Sequence, residues 1–379
     1  MPDSTPVNLD ALQADLDALR DELRDAAGPE DARHLRRVVA VGHAFSLIGW
    51  ATAWIAPNPV AVVGMSTGLF ARWAMVAHHV LHRGYDGVEG VPERYTSQRF
   101  ARGWRRWLDW PDWIDPAAWN HEHNVLHHYR LGEDADPDQP ERNLEIVRRH
   151  APMWLRYVLV ALTTFTWKWF YYAPNTMRAL HNRKARLPDG GEPVGFLSWR
   201  MWAPWAGSGR ATWARCYLPY LLIHFVLLPL PFLAISRWAW MSVLVNRALA
   251  EVLTNLHAYL IIVPNHAGED VYRFDTRMQG RGDFYLRQIV GTANYRTGGF
   301  ARDFFHGWLN YQIEHHLFPD LTMRQYALAQ PRVQAICEKH GLPYLQESVF
   351  VRFKRLVQVL VGRRSMPTWD PTAPARVAL

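Results

Sequence analysis

The sequence predicts an all-α integral membrane protein, with four transmembrane helices in two hairpins, further helices in the membrane interface and a histidine-rich cap on one side. Three observations in the 379-residue chain predict this fold. Apolar runs of about twenty residues, the length that crosses a bilayer core, occur in two pairs. Arginines gather at the same ends of both pairs, and histidine clusters follow these ends. The 19 Trp and 15 Tyr lie largely near the ends of the runs, where a membrane–water interface favours them.

The N-terminal segment, residues 1–37, is predicted to carry a cytoplasmic amphipathic helix over residues 8–37. Its leucines recur at steps of three and four residues, which places them on one helix face. They are Leu9, Leu12, Leu16, Leu19 and Leu23. We expect this face to pack on the chain's own domain; the alternative is a coil that binds a partner.

The first apolar pair comprises residues 38–56 and 59–77, separated only by an uncharged proline and asparagine. Such a short tip predicts a tight helical hairpin. Arg72 is the charge within the second run, and it either extends towards the end of its helix or faces the interior of the bundle. His43, within the first run, is predicted to be a polar group buried in the bundle.

The second pair comprises residues 217–236 and 238–264, with Arg237 as the only charge at the junction. Many arginines precede and follow this pair. The positive-inside rule therefore places both hairpin tips outside, with both termini and the histidine clusters in the cytoplasm, in a bacterial inner membrane. The run 153–172 has basic residues on both sides, so we expect it to lie in or dip into the interface. The membrane domain is predicted to span residues 38–345, and a basic tail residues 346–379.

Composition argues against two other classes. The formal charge of +7 is compatible with nucleic acid, but the sequence has no nucleic-acid motif, and its arginines flank apolar runs, as membrane lipids favour. No nucleic-acid partner is expected. Cys216 and Cys337 form no CxxC pair, which argues against a disulfide framework or a Cys-ligated zinc site.

Three histidine clusters follow the apolar hairpins. In AHHVLHRGYD, His78 and His82 are four residues apart, so a helix places both on one face. The second cluster, WNHEHNVLHHYR, contains His123, His127 and His128, and the third, NYQIEHHLFP, contains His315 and His316. Neutral imidazole is a good ligand for iron, copper, nickel or zinc. These seven histidines exceed what one ion needs and suit two, although a single HxxxH would be weak evidence.

The stretches HHVLH, HNVLHH and QIEHH resemble the three histidine boxes of integral-membrane fatty acid desaturases, of the forms HxxxH, HxxxHH and QxxHH. The resemblance covers residues 38–345 in box order, box spacing and hairpin arrangement, and the third box resembles the front-end and acyl-lipid branch. It implies a cytoplasmic cap with two Fe ions, which activate O₂ and introduce a double bond into an acyl-lipid or acyl-thioester. The alternatives are a hydroxylase or ketolase on the same scaffold and, from a different class, a membrane metal-binding or transport protein.

Carried over box by box, the resemblance implies a set of metal ligands and no catalytic residue beyond them. The expected ligands are His78, His82, His123, His127, His128, His266, His315 and His316. Gln312 stands where many family members have a histidine, and His266, at the end of the fourth span, is predicted to compensate. His79, Gln312 and Asn265 are expected to contact and orient the ligands, whereas His257 is assigned to packing.

The expected partners are a hydrophobic acyl substrate, membrane lipids and an external electron donor. The sequence has no haem-binding HPGG segment and no Rossmann glycine fingerprint, so electrons must come from a separate ferredoxin-like or cytochrome-type protein. Arginines within 101–106, 178–186 and 351–364 either dock such a donor or bind the membrane surface. The aspartates of the loop 132–143 are expected to orient ligands and cap local backbone.

Overall fold

The structure is a computed structural model that describes residues 7–187 and 192–370, and these residues are mostly helical. In chain order the principal helices are α1 (Leu9–Asp25), α2 (Pro29–Ala53), α3 (Pro59–Leu81), α4 (residues 116–130), α5 (residues 153–185), α6 (Gly207–Ala234), α7 (Arg237–Ile262), α8 (Gly280–Val290), α9 (Phe300–His306), α10 (Gln312–Leu317), α11 (Met323–Lys339) and α12 (Val349–Leu360). Shorter helical turns are Glu93–Tyr95, Gly103–Arg105, Arg106–Asp109, Pro140–Asn143, Glu145–His150, Trp199–Met201 and Val263–His266. Two short strands, β1 (Asn294–Tyr295) and β2 (Gln346–Glu347), pair in parallel.

The single N-terminal helix predicted over residues 8–37 is in fact two helices, α1 and α2. The chain breaks at Gly28, whose backbone is extended, and Pro29 then opens α2. Proline has no N–H to donate to a preceding turn and is well suited to the first position of a helix. The leucine face of α1 is buried, as its periodicity predicts, against α8 and α11.

Both predicted helical hairpins are present, formed by α2 with α3 and by α6 with α7. Close approach of α2 and α3 depends on glycine, because a Cβ at Gly49 would lie only 2.5 Å from the Met65 backbone nitrogen. The two tips meet at one end of the bundle. There the Trp238 indole N–H donates to the Ile55 carbonyl at 2.9 Å, and the Asn246 amide donates to the Ala53 carbonyl at 2.9 Å.

Of the helices in the described ranges, two are long and apolar enough to cross a membrane by length and composition, α3 and α6. Their partners are more polar, since α2 begins with charged residues and α7 carries Arg247 and Glu251 in its middle. These two side chains are buried and form an ion pair with each other. In the same interior, the Lys168 ammonium of α5 lies 3.3 Å from the Asp112 carboxylate. These four charges are therefore turned inward and paired.

The C-terminal segment predicted as a basic tail contains the helix α12, which packs against α5 and α7. Its Arg352 is fully buried and donates to both Asp270 carboxylate oxygens, at 2.7 and 2.6 Å. Residues 371–379 lie outside the described part of the chain. His43, predicted to be buried in the bundle, is exposed on α2, because it lines a cavity between α2, α3 and the segment 94–109.

Candidate metal centre

The histidines of the three sequence clusters converge at the end of the bundle opposite the hairpin tips. They are carried by the end of α3, by α4 and by α10, and His266 joins them from the turn after α7. Three groups have ligand atoms within 4.8 Å of one another: His78, His82, His123 and His315; His127, His266 and His316; and His128, His315 and His316. The structure thus brings together all eight histidines that the sequence singled out.

Nitrogen atoms of the first group lie very close together. His78 Nε2 is 3.1 Å from His315 Nε2 and 3.2 Å from His123 Nε2. All three rings are almost completely removed from solvent. Neutral imidazoles whose lone pairs converge in a dry interior are the arrangement that a bound cation stabilises.

The local backbone of α4 explains how His123, His127 and His128 all face the cluster. On a regular α-helix His123 and His128 would point about 140° apart, because each residue advances by about 100°. The stretch Asn120–His127 is instead π-helical, with hydrogen bonds between residues five apart. The His123 ring consequently lies 5.3 Å from that of His127 and 4.9 Å from that of His128.

Burial controls the protonation of these rings. It lowers the pKa of His123, His128, His315 and His316 well below the ordinary value, and neighbouring imidazoles lower it further, so the rings are neutral and able to ligate. His127 differs: burial lowers its pKa, but the Asp136 carboxylate raises it more, so the net shift is upward. Asp136 Oδ1 lies 3.1 Å from His127 Nδ1.

Several of the clustered imidazoles have a hydrogen-bond partner at Nδ1. In the acidic loop, the carboxylate of Asp136 contacts His127 and also accepts backbone N–H groups of its own loop, so this aspartate makes the local capping contacts that the sequence predicted. Gln288 Oε1 lies 2.9 Å from His316 Nδ1, and the Tyr326 hydroxyl lies 3.2 Å from His315 Nδ1. Such contacts select the tautomer and orientation of a ligating imidazole.

Gln312 directly contacts His266. Its Nε2 lies 2.9 Å from His266 Nε2, and its Oε1 accepts a hydrogen bond from Asn265 Nδ2 at 3.4 Å. Asn265 therefore acts on the cluster through Gln312. His79 bonds the Met75 carbonyl through Nδ1 at 2.7 Å and packs face to face with His78.

Some histidines stay outside the cluster, and two neighbouring residues were not foreseen. His257 bonds the Phe305 carbonyl at 2.7 Å and stacks on Phe70, in agreement with a packing role. Gln288 and Tyr326 were missed because they lie on α8 and α11, outside all three sequence clusters. The only local signal for Gln288 is a polar residue within the buried stretch that ends α8.

Unpartnered nitrogen atoms test whether this set of donors fits metal ions. Among the described residues, His82 Nε2, His316 Nε2, His266 Nδ1 and both ring nitrogens of His128 are buried without a hydrogen-bond partner. Buried polar atoms rarely remain unsatisfied. Eight imidazoles in overlapping groups, with free nitrogens inside, fit two cations better than one.

A cavity of about 270 Å³ begins at the histidines and continues between α5 and α7. At one end it is lined by His78, His123, His127, His266 and Gln312. Its other walls are largely apolar or aromatic, including Leu159, Val160, Trp167, Tyr259 and Ile262. A slender apolar ligand in this cavity would reach the histidine cluster.

Comparisons with known proteins agree with this geometry. Residues 48–348 match the sequence profile of the fatty acid desaturase family. An NADPH-dependent stearoyl-CoA 9-desaturase of Mycobacterium tuberculosis is 25% identical over 96% of this chain and 81% of its own length. An acyl-lipid (7-3)-desaturase of Diacronema lutheri is 28% identical over 69% of this chain and 55% of its own length. An acyl-lipid (9-3)-desaturase of Physcomitrium patens is 36% identical over 28% of this chain and 19% of its own length.

Proposed function

Because the chain belongs to the fatty acid desaturase family, we propose that it uses O₂ and a histidine-bound di-iron centre to introduce a double bond into a fatty acyl chain. The observation that carries this proposal is the cavity that leads from the histidine cluster between apolar walls. A saturated acyl chain has no polar group to recognise, so shape and apolar contact must position it. The chain is an oxidoreductase, like the desaturases to which it is similar.

The eight clustered histidines are the proposed iron ligands. One ion is assigned to His78, His82, His123 and His315, the other to His127, His266 and His316, with His128 between the two groups. When bound, the iron pair would supply the chemistry by which O₂ is reduced to two molecules of water. Two hydrogens leave adjacent methylene groups with their electrons, and the balance is two electrons from a separate protein and two protons from solvent.

The chain's own residues hold this site ready. Asp136, Gln288 and Tyr326 fix ring orientations before any ion binds. Burial keeps most of the imidazoles neutral, and the Trp119 ring stacks on His123 and shields it from solvent. Positioned, dehydrated ligands lower the reorganisation that accompanies the reaction.

The proposed membrane arrangement has four spans, α2, α3, α6 and α7, with the tips outside and the histidines and both termini in the cytoplasm. It is supported by the meeting of the two tips at one end of the bundle. About 20 residues of α3 separate its tip from His78, a rise of about 30 Å that matches the hydrocarbon core. Many apolar side chains of α2, α6 and α7 are exposed outward, as lipid contact favours.

Electrons are proposed to come from a separate ferredoxin-like or cytochrome-type protein. The sequence has no haem or dinucleotide motif of its own. The name of the Mycobacterium tuberculosis relative, an NADPH-dependent enzyme, agrees with a nicotinamide as the ultimate source of electrons.

Expression in a bacterial host tests the proposed function. We expect new unsaturated acyl lipids, located by mass spectrometry of double-bond positions, and about two irons per purified chain. His316→Ala should abolish the products, whereas the matched variant His257→Ala should retain them. Hydroxylated or keto products would establish the alternative reaction on the same scaffold. One tightly bound zinc, with no iron after anaerobic loading, would refute the di-iron proposal.

A further inference from the structure

A second cavity, of about 260 Å³, lies between α2, α3 and the segment 94–109. It shares no lining residue with the cavity at the histidine cluster. Three arginines line it, together with one carboxylate and one histidine: Arg72, Arg94, Arg105, Asp109 and His43. With the histidine neutral, the lining carries a net charge of about +2.

Arg72 combines an unusual position in the fold with the lack of a hydrogen-bonded partner. It lies within α3, a helix apolar enough to cross a membrane, yet its guanidinium makes no hydrogen bond or ion pair with any described residue. An arginine in such a helix normally pairs with an anion or reaches the membrane surface. Here it faces the cavity.

The two carboxylates whose charges act on Arg72, Asp109 and Asp112, already have other hydrogen-bond partners. Asp109 accepts two hydrogen bonds from Arg105, at 3.0 and 2.8 Å, and one from the Ala101 backbone N–H at 3.1 Å. Asp112 accepts from the Trp113 backbone N–H at 2.7 Å and pairs with the Lys168 ammonium at 3.3 Å. Neither carboxylate has Arg72 as a hydrogen-bonded partner, so the donors of Arg72 remain available to a ligand.

In the proposed membrane arrangement, this cavity lies at the level of lipid headgroups. Arg72 precedes His78 by only six residues in α3, so in that arrangement it lies close to the side of the membrane that carries the histidines. The neighbouring segment exposes Trp104 at 70% and Leu108 at 62%. Exposed tryptophan and leucine next to arginine are typical of a segment seated in the membrane interface.

We propose that this cavity binds the phosphate group of an anionic phospholipid, with Arg72, Arg94 and Arg105 as its cationic lining. Guanidinium donors match phosphate oxygens in geometry and charge. The apolar part of the lining, which includes Val39, Phe100 and Leu108, offers contact to the glycerol and the first acyl carbons. The lipid is a resident of this site and is separate from the acyl substrate.

Binding of dioctanoyl phosphatidylglycerol to the detergent-solubilised full chain tests the proposal by thermophoresis and by the shift in thermal unfolding temperature. Arg72→Gln should weaken binding about tenfold, because it removes a charge-assisted contact. Arg99→Gln is the matched control: this arginine is exposed in the same segment but does not line the cavity. Neither measurement needs iron or turnover, so its outcome is independent of the proposed desaturation.

Three results would overturn the proposal. Equal binding by Arg72→Gln and Arg99→Gln would show that the lipid does not bind in this cavity. Equal binding of dioctanoylglycerol, which lacks the phosphate, would leave only apolar contact, and equal binding of inorganic phosphate would show that the ligand is not a lipid. If Arg72→Gln fails to fold, Arg94→Gln replaces it, since this side chain is exposed outside the span. Arg94→Gln should bind more weakly than Arg99→Gln, and equality would again refute the site.

Discussion

Replacing His266 with alanine removes one of the three imidazoles in the group that contains His127 and His316. The group then keeps two imidazoles of its own and can only share His128, which lies between the two groups, whereas the group around His78 keeps all four of its own. We therefore expect the iron content to fall from about two ions to about one per chain. Desaturation should be lost as completely as in His316→Ala.

Because Gln312 contacts His266, we expect substitutions of Gln312 to have smaller effects than His266→Ala. Gln312→Ala removes the hydrogen bond to His266 Nε2 but leaves every imidazole in place. Loss of such an orienting partner typically weakens metal binding about 10- to 100-fold. His266→Ala should weaken metal binding more than Gln312→Ala does, because it removes an imidazole itself. Gln312→His should retain part of the activity, because it offers a new nitrogen donor near the same position.

The assay is iron per chain after anaerobic loading at graded Fe(II), combined with lipid analysis of the same membranes. His257→Ala serves as the control, because this histidine lies outside the cluster and contacts Phe70. Near-normal iron content and activity in His266→Ala would refute the eighth-ligand assignment. The site would then have seven histidines, with water or Gln312 completing it.

Three further predictions concern the cavity, the topology and the N-terminal helix. Thr163→Trp, in the cavity wall, should shift the products towards shorter acyl chains. Leu162→Trp, on the exposed side of α5, should leave the chain-length profile of the products unchanged. Identical profiles in the two variants would contradict the assigned cavity. A thiol reagent should label Pro57→Cys only from outside and Arg149→Cys only from the cytoplasm. The two native cysteines should not react, because both are buried. Labelling of both variants from one side would refute the topology. Asp320→Asn removes ion pairs at 2.6 and 2.8 Å to two arginines of α1. It should lower the free energy of unfolding by about 1 kcal/mol, and by less at high salt, which would be measured as a lower thermal unfolding temperature in detergent. An unchanged unfolding temperature would show that these pairs contribute nothing.

Local sequence pattern predicted much of the helical framework and the histidine set. The apolar runs and their short tips predicted the two helical hairpins, and the leucine periodicity predicted the buried face of α1. The three histidine boxes and His266 were named from spacing and resemblance, and the structure brings them together. The hairpins and the leucine face depend on residues a few positions apart, where helix geometry decides which side chains share a face. The histidines were found by their motifs, since the π-helical stretch that aligns His123 with His128 departs from regular helix geometry.

Tertiary structure decided what lies around those histidines. Gln288 contacts His316 from 28 residues away, and the pairing of α1 with Asp320 joins residues about 300 apart. Neither contact has a signature in local spacing, because packing of separate helices determines it. The same holds for the walls of the cavity at the histidine cluster. It also holds for the guanidinium of Arg72: the sequence left two possible positions for it, and packing directs it towards the second cavity. The sequence by itself determined which groups can ligate; only the packed chain determined which partners orient them and what space they face, since both depend on contacts between distant segments.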